Sequence, residues 1–264
     1  MTPPAPISVQ TAAGRRRAVV EVRAGVAFLT RVPVGPADPA STGASAFGLV
    51  GAAIGVVGAL PILVLAGTAP LAASGLAVGA IAVVSGALHL DGLADTADAL
   101  AAPNLEASTR ARKDPAVGPA GAAAIAIIVL VDAGLLAALA AGPGPAVAAL
   151  ACIVAAAGSR VVPVLAVSLP VGQPAGQGLG AWFAAGTGPR SALLAVGSAL
   201  AIALLAMEVS ARPALVGGAV GGLALATVVA GGLSRARSGL DGDGLGALVE
   251  VAFAAILLMT VLVS

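Results

Sequence analysis

Residues Leu71 to Leu100 read LAASGLAVGAIAVVSGALHLDGLADTADAL. The run to Leu90 is about twenty residues of mostly apolar character, long enough to cross the hydrocarbon core of a bilayer as one helix. Three of the chain's 12 acidic residues, Asp91, Asp95 and Asp98, then fall within eight positions, with the single histidine, His89, just ahead of them. Carboxylates beside hydrocarbon are costly unless a cation or hydrogen bonds compensate them. The stretch therefore predicts a membrane helix ending in a cluster that holds something positive, most simply a metal ion.

The whole chain has the same character. Hydrophobic residues make up 59% of it and charged ones 9%, with a mean hydropathy of +1.07. A soluble domain carries about 25% charged residues, so this chain lacks the charge to coat a water-facing surface. A net charge of +1 argues against nucleic acid as a partner. The lone Cys152 allows no internal disulfide and no thiolate metal cage, and reads as a packed small residue. With one Trp and no Tyr there is no aromatic belt, while 36 Gly suit helices that pack closely through small residues.

Seven stretches qualify as spans: about 44–67, 71–90, 120–141, 146–169, 191–207, 214–232 and 247–263. The fold expected is an all-α polytopic membrane protein of six or seven transmembrane helices. Residues 1–43 form a polar, cytoplasmic N-terminal segment that begins with a Pro-rich, disordered tail, shows no signal peptide, and can lay an interfacial amphipathic helix over 18–31. Residues 44–264 are expected to form one transmembrane domain that carries any catalytic site.

Charge gives the orientation. If seven spans start inside, Arg15, Arg16, Arg17, Arg23, Arg31, Arg110, Arg112, Lys113, Arg190, Arg235 and Arg237 share one face, against Arg212 on the other. The positive-inside rule makes the crowded face cytoplasmic. The acidic cluster lies there too, so the chemistry is expected on that side.

Asp91, Asp95 and Asp98 stand at i, i+4 and i+7, within roughly 60° of one another on a helix. Such a stripe repels itself unless a cation sits on it. Mg²⁺ is the natural occupant, since it takes one or two carboxylates and fills its shell with water and substrate phosphate. The bland alternative is a solvated first turn favoured by the helix dipole. His89 can be a ligand, a general base or a packed ring, and on a continuous helix it points away from Asp91. Arg112, Lys113 and Asp114 open RKDPAVGPAG, a basic turn broken by Pro and Gly, read either as a phosphate clamp or as an ordinary basic loop. In GLDGDGLGALVE (Gly239 to Glu250), Asp241 and Asp243 can face the first stripe or form a solvated turn. Arg160 lies inside the fourth span, where it needs a partner such as Asp132 or a substrate phosphate.

Together these segments resemble the cobalamin synthase family, the adenosylcobinamide-GDP ribazoletransferases. LHLDGLADTADAL (Leu88 to Leu100) is similar to that family's histidine-aspartate signature, FLTRVPVG (Phe28 to Gly35) to its N-terminal motif, GLDGDGLGALVE to its C-terminal segment, and RKDPAVGPAG to its Lys-Asp loop. The chain departs from the family pattern at Pro115, Ala116, Ala99, Asp241 and Val171 to Pro174. The resemblance implies transfer of the adenosylcobinamide-phosphate group from adenosylcobinamide-GDP to α-ribazole or its 5′-phosphate. The products are adenosylcobalamin, or its 5′-phosphate, and GMP. It implies a Mg²⁺ cofactor, corrinoid-GDP and α-ribazole substrates, and a bacterial inner membrane, and is compatible with an oligomer. Under it, Asp91, Asp95 and Asp98 hold the metal, His89 or Asp243 takes the hydroxyl proton, and Arg112 or Lys113 holds the GDP part. Asp114, Arg160 and Asp241 complete the substrate-binding set.

Two other classes compete. A CDP-alcohol phosphotransferase also uses aspartates at helical spacing, but its Asp-x-x-Asp-Gly…Ala-Arg pattern is absent. A secondary transporter would place charge nearer mid-membrane and show related halves, and no clear repeat is visible.

Overall fold

The computed structural model describes residues 7–111, 116–169, 178–237 and 239–264. Among them the chain is all helical, with no strand: α1 (Ile7–Leu29), a 3-10 turn (Ala44–Ala46), α2 (Phe47–Leu65), α3 (Pro70–Ser85), α4 (Leu88–Ala101), α5 (Leu105–Ala111), α6 (Pro119–Ala141), α7 (Pro145–Ser168), α8 (Leu179–Gly186), α9 (Pro189–Ser210), α10 (Ala214–Arg237) and α11 (Gly242–Leu262). Four of these helices, α3, α6, α7 and α9, open on proline. Its fixed φ suits the first helical turn, where the missing N–H has no partner to lose. The Pro-rich tail, the Arg112-Lys113-Asp114 turn and the Val171 to Pro174 stretch lie outside the described residues.

Six helices are long and apolar enough to cross a membrane: α2 with its preceding turn, α6, α7, α9, α10 and α11. The fifth span is longer than the sequence suggests, since α9 runs the full 22 residues of Pro189–Ser210 and carries Glu208 in its last turns. The second needs correction. The 71–90 stretch is not one helix: Gly86 (φ 64°) and Ala87 (φ 56°) both turn left-handed, and α4 leaves α3 at 94°. Glycine takes that conformation at little cost, whereas alanine is strained in it. The carbonyls left at the end of α3 are satisfied locally: Ala82 accepts from the Ala87 N–H, and Val84 from the N–H of Arg31. The FLTRVPVG segment thus pins the elbow. Beyond it, α4 lies across one end of the bundle, where α6 and α11 begin.

The axis of the bundle is α7, of which 78% is buried, against 22% of α6 and 28% of α9. α2 reaches it through small residues: a Cβ on Gly55 would stand 2.6 Å from the Cα of Ile153. Cys152 packs in this crossing, its thiol 3.8 Å from the Gly55 carbonyl oxygen. Outward, Val64, Val83, Leu130, Leu193, Val209 and Val228 are exposed. A girdle of this kind belongs in lipid. α1 is tied to the bundle rather than free, because Glu21 accepts hydrogen bonds from Ser41 (2.8 Å) and Ser45 (2.6 Å) just before α2.

Candidate active site

The bent α3–α4 pair builds the site. α4 crosses the N-terminal end of α11 through Gly92 and Gly246, where no side chain intervenes. Asp91, on α4, and Asp243, in the first turn of α11, therefore line the same cleft, together with His89 and Arg160. The start of α11 is fixed by its own cap: Asp241 accepts a hydrogen bond from the Gly244 N–H at 2.9 Å. α8 closes the far side, with Gly180 against the backbone of Asp241 and Gly242.

The acidic stripe does sit on one helix, but its members differ in surroundings. Asp91 and Asp243 face the cleft. Asp95 lies one turn along; burial, then the charges of Asp243, Asp91, Asp98 and Asp241, raise its carboxyl above the usual value. Asp98 is committed elsewhere. Its two oxygens accept from the backbone N–H groups of Gly118 (2.7 Å) and Gly121 (2.8 Å), across the N-terminus of α6. These are charge-assisted bonds to a helix end whose dipole favours an anion. Among the described residues no three of His, Cys, Asp and Glu are grouped as a metal site. The crowding of carboxylates around Asp95 is nonetheless the electrostatic setting a divalent cation relieves. Mg²⁺ asks for only one or two carboxylates, and with Asp98 bonded to α6 the stripe's other members are Asp91 and Asp95.

His89 is 4% exposed, and its Nδ1 is shut from solvent without a partner. The cleft wraps the first turn of α4, so His89 borders it despite its offset from Asp91. Arg160 is 1% exposed and borders two cavities, this cleft and a smaller interior one lined by Asp132 and Glu250. One of its terminal nitrogens donates to Ser159 Oγ at 2.9 Å, and its guanidinium lies 6.0 Å from the Phe253 ring centre. Its Nε and Asp132 Oδ1 have no hydrogen-bond partner. The fold thus gathers Arg160 with both carboxylates rather than pairing it with Asp132 alone.

Sequence reasoning missed two features. Glu250 was legible as an ionisable residue inside the last span. Phe28, Phe47 and Phe183, which also line the cleft, had only a faint signal: the chain has so few aromatic residues that each one calls for a reason.

A family model described as cobalamin-5-phosphate synthase matches residues 21–261. The adenosylcobinamide-GDP ribazoletransferase of Pseudomonas paraeruginosa is 34% identical over 254 residues, 92% of this chain and 98% of that one. The protein of the same description from Thermococcus kodakarensis is 36% identical over 238 residues, covering 89% and 96%. That from Bradyrhizobium diazoefficiens is 32% identical over 254 residues, covering 92% and 94%. No solved structure matches the chain.

Proposed function

The chain belongs to the cobalamin-5-phosphate synthase family, and from that premise we propose that its cleft joins adenosylcobinamide-GDP to α-ribazole or its 5′-phosphate. A ribose hydroxyl of the acceptor attacks the phosphorus that carries the corrinoid. The diphosphate bridge breaks, the new phosphodiester is adenosylcobalamin or its 5′-phosphate, and GMP leaves with the bridging oxygen. The observation that carries this reading is Asp91 and Asp243 meeting across one cleft from different helices.

Asp91 and Asp95 are the residues we assign to a Mg²⁺ ion. The ion, when bound, offsets the charge that gathers on the phosphoryl oxygens. Asp243, on the facing helix, takes the proton from the attacking hydroxyl at its carboxylate oxygen. Arg160, which lines the cleft, holds a substrate phosphate as a fixed cation. Arg112 and Lys113 carry the GDP end, with Asp114 beside them. Asp98 acts by position: its bonds to the Gly118 and Gly121 N–H groups fix α4 against α6. Asp241 caps α11 and so sets where Asp243 stands.

We assign the protein to a bacterial inner membrane with the cleft toward the cytoplasm. The support is the charge asymmetry: eleven basic residues fall in the segments that the seven-span reading puts on one face, against Arg212 on the other. The test is GMP release from adenosylcobinamide-GDP by membranes containing the protein. Release that needs both α-ribazole and Mg²⁺, and that is lost in Asp243→Asn, supports the reading. Asp243→Asn turning over at the wild-type rate would remove Asp243 from the mechanism, and absence of release would remove the reaction.

A further inference from the structure

The chain has only five aromatic residues, four Phe and one Trp, and they are not scattered. Phe28 of α1, Phe47 of α2 and Phe183 of α8 come together with ring centres 5.4 to 5.7 Å apart. Trp182 stacks on Phe28 at 6.1 Å. The three Phe side chains form one wall of the cleft whose other elements, α4 and α11, carry Asp91 and Asp243. Phe47 and Phe183 are all but sealed (1% and 2% exposed), whereas Phe28 is half-buried. Leu29, Leu245 and Val249 extend the apolar lining.

Core packing alone accounts poorly for this placement. The rest of the buried core is filled by aliphatic side chains such as Ile54, Leu136 and Leu248, and the one aromatic residue outside the group, Phe253, lies near Arg160. An aromatic wall beside phosphoryl chemistry suits a flat ring that stacks and asks for few hydrogen bonds. On the transferase reading, on which this inference rests, two substrates bring planar bases. Guanine has a polar edge of several donors and acceptors, which an apolar wall would leave unpaired at a cost. The base of α-ribazole is 5,6-dimethylbenzimidazole. It has methyl groups on one side and a single free ring nitrogen, which accepts one hydrogen bond. His89, which borders the same cleft, can supply one.

We propose that the Phe28–Phe47–Phe183 wall seats the dimethylbenzimidazole ring of the acceptor nucleoside. The FLTRVPVG segment thereby gains a second role: Arg31 pins the α3–α4 elbow while Phe28, three residues earlier, contacts the acceptor.

The wall carries its own reporter, because Trp182 is the only tryptophan and stacks on Phe28. The full-length protein in nanodiscs is titrated with free 5,6-dimethylbenzimidazole and, separately, with guanosine. A saturable change in Trp182 emission with the benzimidazole but not with guanosine is expected, weakened about tenfold in Phe28→Leu, the order that loss of base stacking gives. In steady-state assays Phe28→Leu and the milder Phe28→Met raise KM for α-ribazole by a similar factor, with KM for adenosylcobinamide-GDP unchanged. No saturable emission change with the benzimidazole overturns the proposal. So does a variant that raises KM for the corrinoid substrate and leaves that for α-ribazole alone. The emission titration needs no turnover. A protein that binds the base at Trp182 but makes no corrinoid product keeps the pocket and loses the reaction, so the two failures are distinguishable.

Discussion

Gly92 of α4 and Gly246 of α11 lie backbone to backbone: a Cβ placed on Gly246 would stand 3.5 Å from the Gly92 Cα. One placed on Gly92 would stand 2.8 Å from the carbonyl oxygen of Asp243 and 3.3 Å from the Gly246 Cα. This contact sets the distance between the two helices that supply the cleft's carboxylates.

Gly92→Ala must therefore push α4 off α11. Overpacking at backbone contacts costs about 1–3 kcal/mol, and a misplacement near 1 Å at a reacting centre can cost on the order of 100-fold in rate. We expect initial rates of GMP release to fall far more than the unfolding temperature does. Gly75→Ala, where nothing lies within 4 Å, is the control and should match the wild type in both.

Asp98→Ala leaves the N–H groups of Gly118 and Gly121 without their acceptor. The expected loss is about 1–3 kcal/mol, read as a lower midpoint in detergent-phase thermal unfolding. Asp98→Asn keeps one accepting oxygen and should fall between the two. A midpoint unchanged in Asp98→Ala would mean that this end of α6 needs no partner.

Arg160→Met strands Asp132 and Glu250 around their interior cavity. Removing one member of a buried charge cluster costs roughly 3–5 kcal/mol, while replacing the whole cluster by apolar residues is often neutral or stabilising. Arg160→Met alone should unfold at a lower temperature. The triple variant Arg160→Met, Asp132→Leu, Glu250→Met should regain stability without regaining GMP release. Recovery of activity in the triple variant would remove Arg160 from the phosphate site.

Asp95 predicts a pH response. Burial and its acidic neighbours raise its carboxyl in the folded protein, so the folded state binds the proton more tightly than the unfolded chain does. The stability this gives is present below the unfolded value and is lost as pH rises through the folded one. Protein stripped of divalent cations should therefore be destabilised by this residue above that range. Asp95→Asn should raise the metal-free melting temperature at neutral pH and shrink the further rise on adding Mg²⁺. Equal Mg²⁺-induced shifts in wild type and variant would take Asp95 out of the cation site.

The apolar runs were enough to find the six helices that are long and apolar enough to span, because a bilayer demands length and low charge and the sequence shows both directly. The second run misled at its end: nothing in SGALHL marks a 94° turn except Gly86, and alanine at 87 is a poor predictor of a left-handed residue. The spacing of Asp91, Asp95 and Asp98 was also readable, since all three do lie on one helix. Their division of labour was not, because the partners of Asp98 lie 20 and 23 residues away on another helix.

By itself, then, the order of residues determined an all-helical membrane chain, the end of the bundle at which its acids collect, and the family it belongs to. These rest on local periodicity, hydropathy and short motifs, each contained within one segment. Only the tertiary structure decided that Asp91 looks across at Asp243, that Arg160 sits between two cavities, and that Phe28, Phe47 and Phe183 share a wall. Those relations join helices far apart in the chain, and they are set by how closely small residues let the helices approach.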